Sequence, residues 1–480
     1  MGNSFNLLTE KWIPVILSNG TVEKVGILAA LTQAARIRQI AANNPMDRFA
    51  ILRFMLALVY WSKGNPPKDT TDSGGAFPAQ WFTKLENEKG MFDLLGPERR
   101  FYQYRKGDGK DQKLAATYLS QEVPTGTNKW HFRHATDKTD GLCPACCAMG
   151  LLRLPAFATS AGRGKPPGVN AKPPLYVVPI GASLAETIRL SWEPVEELGT
   201  PTWEKPDIRL PDEGVVPLLT GLTWLPRRVW LDSPAAPEAN CIACGAKTLL
   251  IRETVFAPIG STKTDESSPG RTWRDPHVMY EETRTGDIVS LHSGDALGSA
   301  DAAAGQWARI MAAIVERHGR KGGRALWVVG FSTVQNDKYL EAFEQTLPWP
   351  ESGDRNAEIA ARFAQWSKEG VELVKRLRPC SEKKSGRKHV EIPPALAAVR
   401  PQVEDQVSQR AEELLLGGEA AWEKAAQEYR PMMEAVAKSL SPGFTSSAVD
   451  RRRQIAAASP DMGARSETPR KFRSKKGGKT

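Results

Sequence analysis

Trp12-Ile13-Pro14-Val15-Ile16-Leu17, then Ser18-Asn19-Gly20, then Thr21-Val22-Glu23-Lys24-Val25, sets an apolar run against a second, shorter one across an Asn-Gly pair. Asn and Gly tolerate positive φ, so the spacing predicts a β-hairpin closed by a type I′ turn. The period then changes. Residues 27–42 and 46–62 carry apolar positions at helical spacing, with Pro45 near the start of the second and Gly64-Asn65-Pro66-Pro67 closing it. The 13 residues from Phe49 to Trp61 are apolar save Arg53. That is well short of the roughly 20 a membrane-spanning helix needs, so the stretch reads as a helix buried in a protein core.

Between about 64 and 350, Pro and Gly are scattered through short β-rich pieces such as Leu175 to Ile180, Thr187 to Trp192 and Ala325 to Val329. This is one large mixed region with long loops. From Asp354 onward helical periodicity takes over. Ile359, Phe363, Trp366, Val371, Val374 and Leu377 form one stripe, Val403, Val407, Ala411 and Leu414 a second, and Trp422, Ala425, Tyr429, Met433, Val436 and Leu440 a third. A weaker fourth segment covers 446–458, and Pro379, Gly417-Gly418 and Pro442-Gly443 fall at the breaks. The expectation is an α+β protein: a large mixed α/β N-terminal domain over 1–352 with a zinc-knuckle element, a C-terminal four-helix bundle over 353–458, and a basic disordered tail over 459–480.

At roughly 150 residues per domain, 480 residues correspond to about three units. With 41% hydrophobic and 25% charged residues, the composition is that of a globular protein and excludes a disordered or membrane one. The net charge of +10 is unevenly placed. From Arg451 to Thr480 ten Lys or Arg stand against Asp461 and Glu467, so 30 residues carry +8 and the other 450 carry +2. Such arms neutralise phosphate or simply aid solubility. No charged region precedes an apolar leader segment, and Asn6 stands where a myristoylation site needs Ser or Thr, so the expected compartment is cytoplasmic, with no membrane partner.

Five of six cysteines sit in Cys143-Pro144-Ala145-Cys146-Cys147 and Cys241-Ile242-Ala243-Cys244-Gly245. Each CxxC knuckle lets two thiolates hold one ion while backbone amides donate to the sulfurs. Cys143, Cys146, Cys241 and Cys244 therefore make a candidate structural zinc site, with no open position for catalysis. The 94 residues between the pairs exceed the usual 15 to 20 or so, so a disulfide or redox pair and plain buried thiols stay open as readings. Cys147 and Cys380 read as packed cysteines. Enzymatic patterns are lacking: the six histidines form no HxH, HExxH or HD pattern, and no GxSxG elbow occurs. Ser160 to Asn170 looks like a phosphate loop but has Thr159 where a P-loop has Gly and Pro166 where it has Ser or Thr. Its glycines and cations suit contact with a sugar-phosphate backbone or a surface loop.

Phe5-Asn6-Leu7-Leu8-Thr9-Glu10-Lys11-Trp12-Ile13-Pro14-Val15, both CxxC pairs and the helical C-terminal quarter together resemble the CasA family, the large subunits of type I-E CRISPR Cascade surveillance complexes. The resemblance runs from residue 5 to about 458. It implies a non-enzymatic subunit that reads the short motif beside the target (the protospacer-adjacent motif) in double-stranded DNA. It also implies help in opening the duplex for guide RNA (crRNA) pairing, and recruitment of a separate nuclease-helicase alongside the other Cascade subunits. By the resemblance, Gln335, with Asn336 beside it, matches the family's glutamine wedge, and Gly162, Arg163, Gly164 and Lys165 match a glycine loop at the minor groove. Lys263 matches a groove-reading lysine. Thr125 to Phe132 resembles the loop that docks on the guide's 5′ end and a neighbouring subunit, through Asn128, Lys129, Trp130 and Phe132. The competing reading is a zinc-containing protein-protein scaffold with a basic nucleic-acid-binding tail.

The tail generates a first prediction. Deleting residues from 460 onward removes seven cations and two anions. Flexible Lys and Arg reach phosphates without fixed geometry, so the deletion flattens the salt dependence of DNA binding. Titrations across a salt series check this, and an unchanged slope would identify a passive solubility element.

Overall fold

The opening hairpin forms as two strands, β1 (Ile13–Leu17) and β2 (Val22–Val25), paired antiparallel from Ile13 opposite Val25 to Ile16 opposite Val22. Its turn differs from the expected type I′. Only Gly20 has positive φ (86°), Gly20 N donates to Leu17 O, and Leu17 N donates to Thr21 O. That is a three-residue loop with glycine in the left-handed position, the next most favoured hairpin closure. Asn19 spends its side chain on Thr21 N (3.0 Å).

The computed structural model describes residues 4–67, 75–97, 99–104, 113–120, 141–158, 168–170, 176–211, 213–258, 271–273, 275–277, 323–334 and 338–348, together with Gln427. The chain divides into two compact units, 1–293 with 309–349 and 294–308 with 350–480, and all described residues but Gln427 belong to the first. The expected helical bundle of 353–458 and the tail of 459–480 lie outside the described residues.

After the hairpin come α1 (Ile27–Thr32) and β3 (Ile37–Ile40), which pairs with the free side of β1. The helix expected over 27–42 thus stops after six residues. A short helix is marginal alone, and the open edge of β1 supplies backbone partners that a longer helix would forgo. Helix α2 (Pro45–Lys63) matches its expected span. Asn44 caps it by accepting from Met46 N (2.8 Å), Pro45 occupies the first turn, and Gly64 (φ 83°) ends it. Fifteen of its nineteen residues are buried, as an all-round apolar helix requires. No described helix is long and apolar enough to cross a membrane.

The remaining elements are, in order, α3 (Thr83–Asn87), β4 (Lys113–Ala115), α4 (Pro144–Phe157), β5 (Tyr176–Ile180), α5 (Leu184–Leu190), β6 (Gly214–Val215), α6 (Leu218–Thr223), β7 (Arg227–Leu231), β8 (Ala235–Asn240), β9 (Lys247–Leu250), β10 (Glu253–Pro258), β11 (Arg271–Thr272), β12 (Ala325–Val334) and β13 (Lys338–Pro348). Of these, α3, α4, α5, α6, β12 and β13 pack on α2. Small sheets replace one large one: β2-β1-β3, β4-β10-β7, β13-β12-β5, and the pairs β11-β6 and β8-β9. The expected strands at 175–180 and 325–329 form, but Thr187 to Trp192 does not. Ser183 caps α5 by accepting from Glu186 N (3.3 Å), while Glu186 accepts from Ala182 N (2.6 Å), so a capping pair outweighs local β propensity.

The Asn6 to Trp12 stretch is structural. Asn6 Oδ1 accepts from Leu8 N (3.1 Å), its carbonyl accepts from Thr9 N and Glu10 N, and the Trp12 indole donates to Leu7 O (2.9 Å), which buries Leu7, Leu8 and Trp12.

Two ion pairs lie inside this core. Arg153 of α4 meets Asp47 of α2 at 2.5 Å, and Arg53 of α2 pairs with Asp275. Burial by itself pushes the Asp275 carboxyl up. The Arg53 guanidinium, His277 and the Asn170 amide together outweigh that and hold it below its ordinary value. A carboxylate held low binds fewer protons folded than unfolded, so its contribution is present above the unfolded pKa and lost as pH falls through the folded one.

Arg53→Met leaves that carboxylate buried without its cation, at a cost of about 3–5 kcal/mol near neutral pH. Without the guanidinium, burial weighs more heavily against the charged carboxyl although Asn170 and His277 still oppose it, so the stability gap to wild type narrows as pH falls through the carboxylate range. Urea unfolding near neutral pH and near pH ~4 measures the gap. A gap of equal size at both would show that the pair does not act through charge.

Candidate metal centre

The two cysteine pairs, far apart in sequence, converge. Cys143 precedes α4 and caps it, its Sγ accepting from Cys146 N (3.4 Å), and Pro144 takes the first helical position. This places Cys146 one turn along on the same side. The second pair sits in the turn between β8 and β9, where Gly245 N donates to Cys241 O (2.8 Å) and Cys241 N to Ala246 O (2.9 Å). Gly245 has φ 74°, and a Cβ there would meet nothing, so the left-handed backbone explains the glycine. The knuckles are stitched together by Cys143 N donating to Cys241 Sγ (3.3 Å), by Ile242 N on Gly141 O, and by reciprocal bonds between Leu142 and Ile251.

The four sulfurs lie within 4.8 Å of one another, and Cys143 Sγ is 3.7 Å from Cys244 Sγ. A disulfide needs about 2.05 Å, so these cysteines are unbonded thiols. Four sulfurs on a tetrahedral zinc ion stand about 3.8 Å apart, so the cluster is close enough to hold such an ion. Three of the four are partly or fully buried, and Cys244 is exposed. Among the described residues this is the one group of such side chains able to hold a metal ion.

The thiols also polarise one another. Hydrogen bonds from Cys143 first and Cys146 second hold the Cys241 thiol far below its ordinary range. For Cys143, the bond from Cys146 favours ionisation, but Cys241 and burial outweigh it and push the pKa up to about 12. Cys146 is raised by its bonds to Cys143 and Cys241 and by burial. One thiolate is favoured and further ones are opposed, the condition a divalent cation relieves. Cys147 is buried and raised chiefly by desolvation, as expected of a packed cysteine.

The other sequence-derived candidates, Gln335, Asn336, Lys263, Gly162, Arg163, Gly164, Lys165, Asn128, Lys129, Trp130 and Phe132, lie outside the described residues, as does Cys380. Their flanks are described. Val334 of β12 stands opposite Lys338 of β13, so Gln335 and Asn336 fall between two paired strands. Gly168 N donates to Ala158 O (2.8 Å) and closes the base of the segment that holds Gly162 to Lys165. Segment 121–140 is fastened at both ends to one stretch of chain, through Ala116 N on Arg252 O and Leu142 N on Ile251 O. Sequence reasoning passed over a buried group around Asp275, Asn170 and Trp273. Its one signal was Arg53, a cation that an apolar helix obliges to find a partner.

The sequence profile of the family described as CRISPR-associated protein Cse1 matches residues 6–457. A CRISPR-associated protein CasA/Cse1 of Thermus thermophilus is 31% identical over 220 residues, covering 43% of this chain and 43% of that protein, so the match spans less than half the length of this curated relative. Among solved structures, Thermus thermophilus CasA superposes with a TM-score of 0.63 at 20% identity, covering 96% of this chain and 98% of its own. Thermobifida fusca Cse1 gives 0.62 at 18%, covering 96% and 97%. A chain of a CRISPR RNA-guided surveillance complex gives 0.61 at 14%, covering 95% and 98%. These likenesses establish a shared fold.

A closed four-thiolate site contributes folding energy. Replacing Cys143 and Cys241 with Ser therefore lowers the melting temperature and raises protease sensitivity, and a chelator reproduces both effects in the wild type. Elemental analysis of native protein checks the premise, with about one equivalent of zinc per chain expected.

Proposed function

The chain belongs to the CRISPR-associated protein Cse1 family, and from that premise we propose that it is the large, non-enzymatic subunit of a cytoplasmic RNA-guided surveillance complex. In this reading it recognises the protospacer-adjacent motif in double-stranded DNA, helps open the duplex for guide RNA pairing, and recruits a separate nuclease-helicase. The observation that carries the proposal is the family match over residues 6–457. Residues 1–352 form the motif-reading domain, 353–458 a helical bundle, and 459–480 a basic arm. Zinc on Cys143, Cys146, Cys241 and Cys244 acts as a structural clamp.

The strands around Gln335 support its role as a wedge. β12 pairs with β5 from Ala325 opposite Ile180 as far as Val329 opposite Tyr176, whereas its pairing with β13 continues from Gly330 to Val334. Among the described residues, these five positions form a two-stranded ribbon that leaves the three-stranded sheet, a reach of about 16 Å at 3.3 Å per residue. A ribbon of this kind is stiff enough to deliver a short polar tip to a base step. Unstacking one step costs a few kcal/mol, and guide pairing then takes over from the inserted side chain. Lys263 and the Gly162 to Lys165 loop, with Arg163 and Lys165 as cations, supply groove and phosphate contacts. A minor groove offers mainly acceptors and the guanine amino group, so several flanking motifs are tolerated. Asn128, Lys129, Trp130 and Phe132 dock on the guide's 5′ end and a neighbouring subunit by stacking and phosphate pairing.

Gln335→Ala separates opening from capture. The side chain is neutral and makes none of the phosphate contacts that dominate non-specific affinity, so weak duplex binding persists. R-loop formation slows on a fully paired target and recovers when the first few target pairs are already mismatched. Substituting Arg163, Lys165 or Lys263 has the reverse signature, since capture weakens and pre-opening restores nothing. Equal Gln335→Ala defects on both targets would show that it is not the wedge.

A further inference from the structure

Four buried side chains from three separate stretches of chain meet beside α2. Asn170 donates to Asp275 Oδ2 (2.9 Å) and to the Tyr176 hydroxyl (3.0 Å), and its own carbonyl oxygen accepts from the Trp273 indole (2.9 Å). Asp275 pairs with Arg53 and accepts from His277 N (2.9 Å). Arg53, Asn170, Trp273 and Asp275 are all at least nine-tenths buried. One asparagine thus satisfies an indole, a carboxylate and a phenol at once.

The positions of these residues along the chain carry the inference. Asn170 follows the segment holding Gly162 to Lys165, and its neighbour Gly168 closes that segment's base. Trp273 and Asp275 follow the segment holding Lys263. Tyr176 begins β5, whose pairing with β12 leads to the ribbon that ends before Gln335. The same helix grips that ribbon's root: Arg48 of α2 pairs with Glu344 of β13 and lies over the Trp327 ring of β12, and Phe49 stacks on Tyr176 with ring centroids 4.1 Å apart.

We propose that the buried junction of Arg53, Asn170, Trp273 and Asp275 sets the mutual placement of the three DNA-reading loops, making Asn170 and Trp273 positioning residues for motif discrimination. The proposal rests on the reading of those loops given above. Discrimination between flanking motifs needs several contacts to fall on one base step together, and a buried junction tied by hydrogen bonds and an ion pair holds its parts more tightly than loops hold themselves. Loosening the junction costs selectivity while leaving each loop's own chemistry intact.

The test uses the assembled guide-loaded complex carrying wild type, Asn170→Ala, Trp273→Phe or Leu31→Ala, the last a core truncation in α1 outside the junction. For each, the melting temperature is measured together with R-loop formation rates on duplexes randomised at the flanking positions. Asn170→Ala and Trp273→Phe lower the ratio of best to worst rate by roughly two- to thirtyfold, the range found for mutations along a connected network. Leu31→Ala lowers the melting temperature and leaves the ratio unchanged. A ratio that tracks melting temperature across all three variants, or is unmoved in both junction variants, overturns the proposal. Should Asn170→Ala fail to assemble, Trp273→Phe decides alone, since it keeps an aromatic ring, loses the indole N–H together with part of the ring, and is read against the melting temperature of Leu31→Ala. Lys263→Ala combined with Arg163→Ala tests the underlying reading separately. Wild-type rates there defeat the loop assignment itself, whereas slowed rates with silent junction variants defeat only the junction.

Discussion

Helix α2 is apolar on every side, and a helix of that kind has to be enclosed. Its nineteen residues run through the middle of the described structure, and fifteen of them are shut away from water. Helices α4 and α6, the root of β12 and the segment around Asp275 all pack on it. The single cation in the middle of the apolar run, Arg53, cannot remain there unpaired, so the segment carrying Asp275 is drawn in from 222 residues away. This one demand ties together parts of the chain that have no local reason to meet.

A second constraint operates at the cysteine knuckles. The entry to α4 is anchored in the core by Leu142, Cys147 and Ala148, whereas at the tip of hairpin β8-β9 Ile242 and Cys244 stand exposed. Hydrogen bonds from backbone amides to sulfur and the bridge between Leu142 and Ile251 bring the pairs within reach of one ion. An ion held there, as proposed, adds a crosslink at the exposed tip of the hairpin. The knuckle also anchors one end of segment 121–140, which links local stability to the segment proposed to meet the guide.

Recognition and rigidity are divided in this design. Polar and cationic side chains that suit nucleic acid, Lys263, Arg163, Lys165 and Gln335, fall in connecting segments. The groups that hold those segments' ends are buried aromatics, an asparagine and an ion pair. In the proposed reading those segments contribute reach and chemistry, and the packed junction contributes register.

Local patterns in the sequence determined the opening hairpin, helix α2 with its Pro45 start and Gly64 stop, strands β5 and β12, and the pairing of cysteines into knuckles. Each of these is written in residues a few positions apart: an Asn-Gly turn, a 3.6-residue apolar period, a CxxC spacing. The type of turn, the early end of α1, the strand β3 and the helix α5 were decided otherwise. Hairpin closure depends on which residue takes positive φ, β3 on the open edge of β1, and α5 on a capping pair that local β propensity obscured. The convergence of the four sulfurs across 94 residues, and the meeting of Arg53, Asn170, Trp273 and Asp275, belong to tertiary structure alone. A buried charge announces that it needs a partner, but which distant residue supplies it is settled only when the chain has enclosed the helix that carries it.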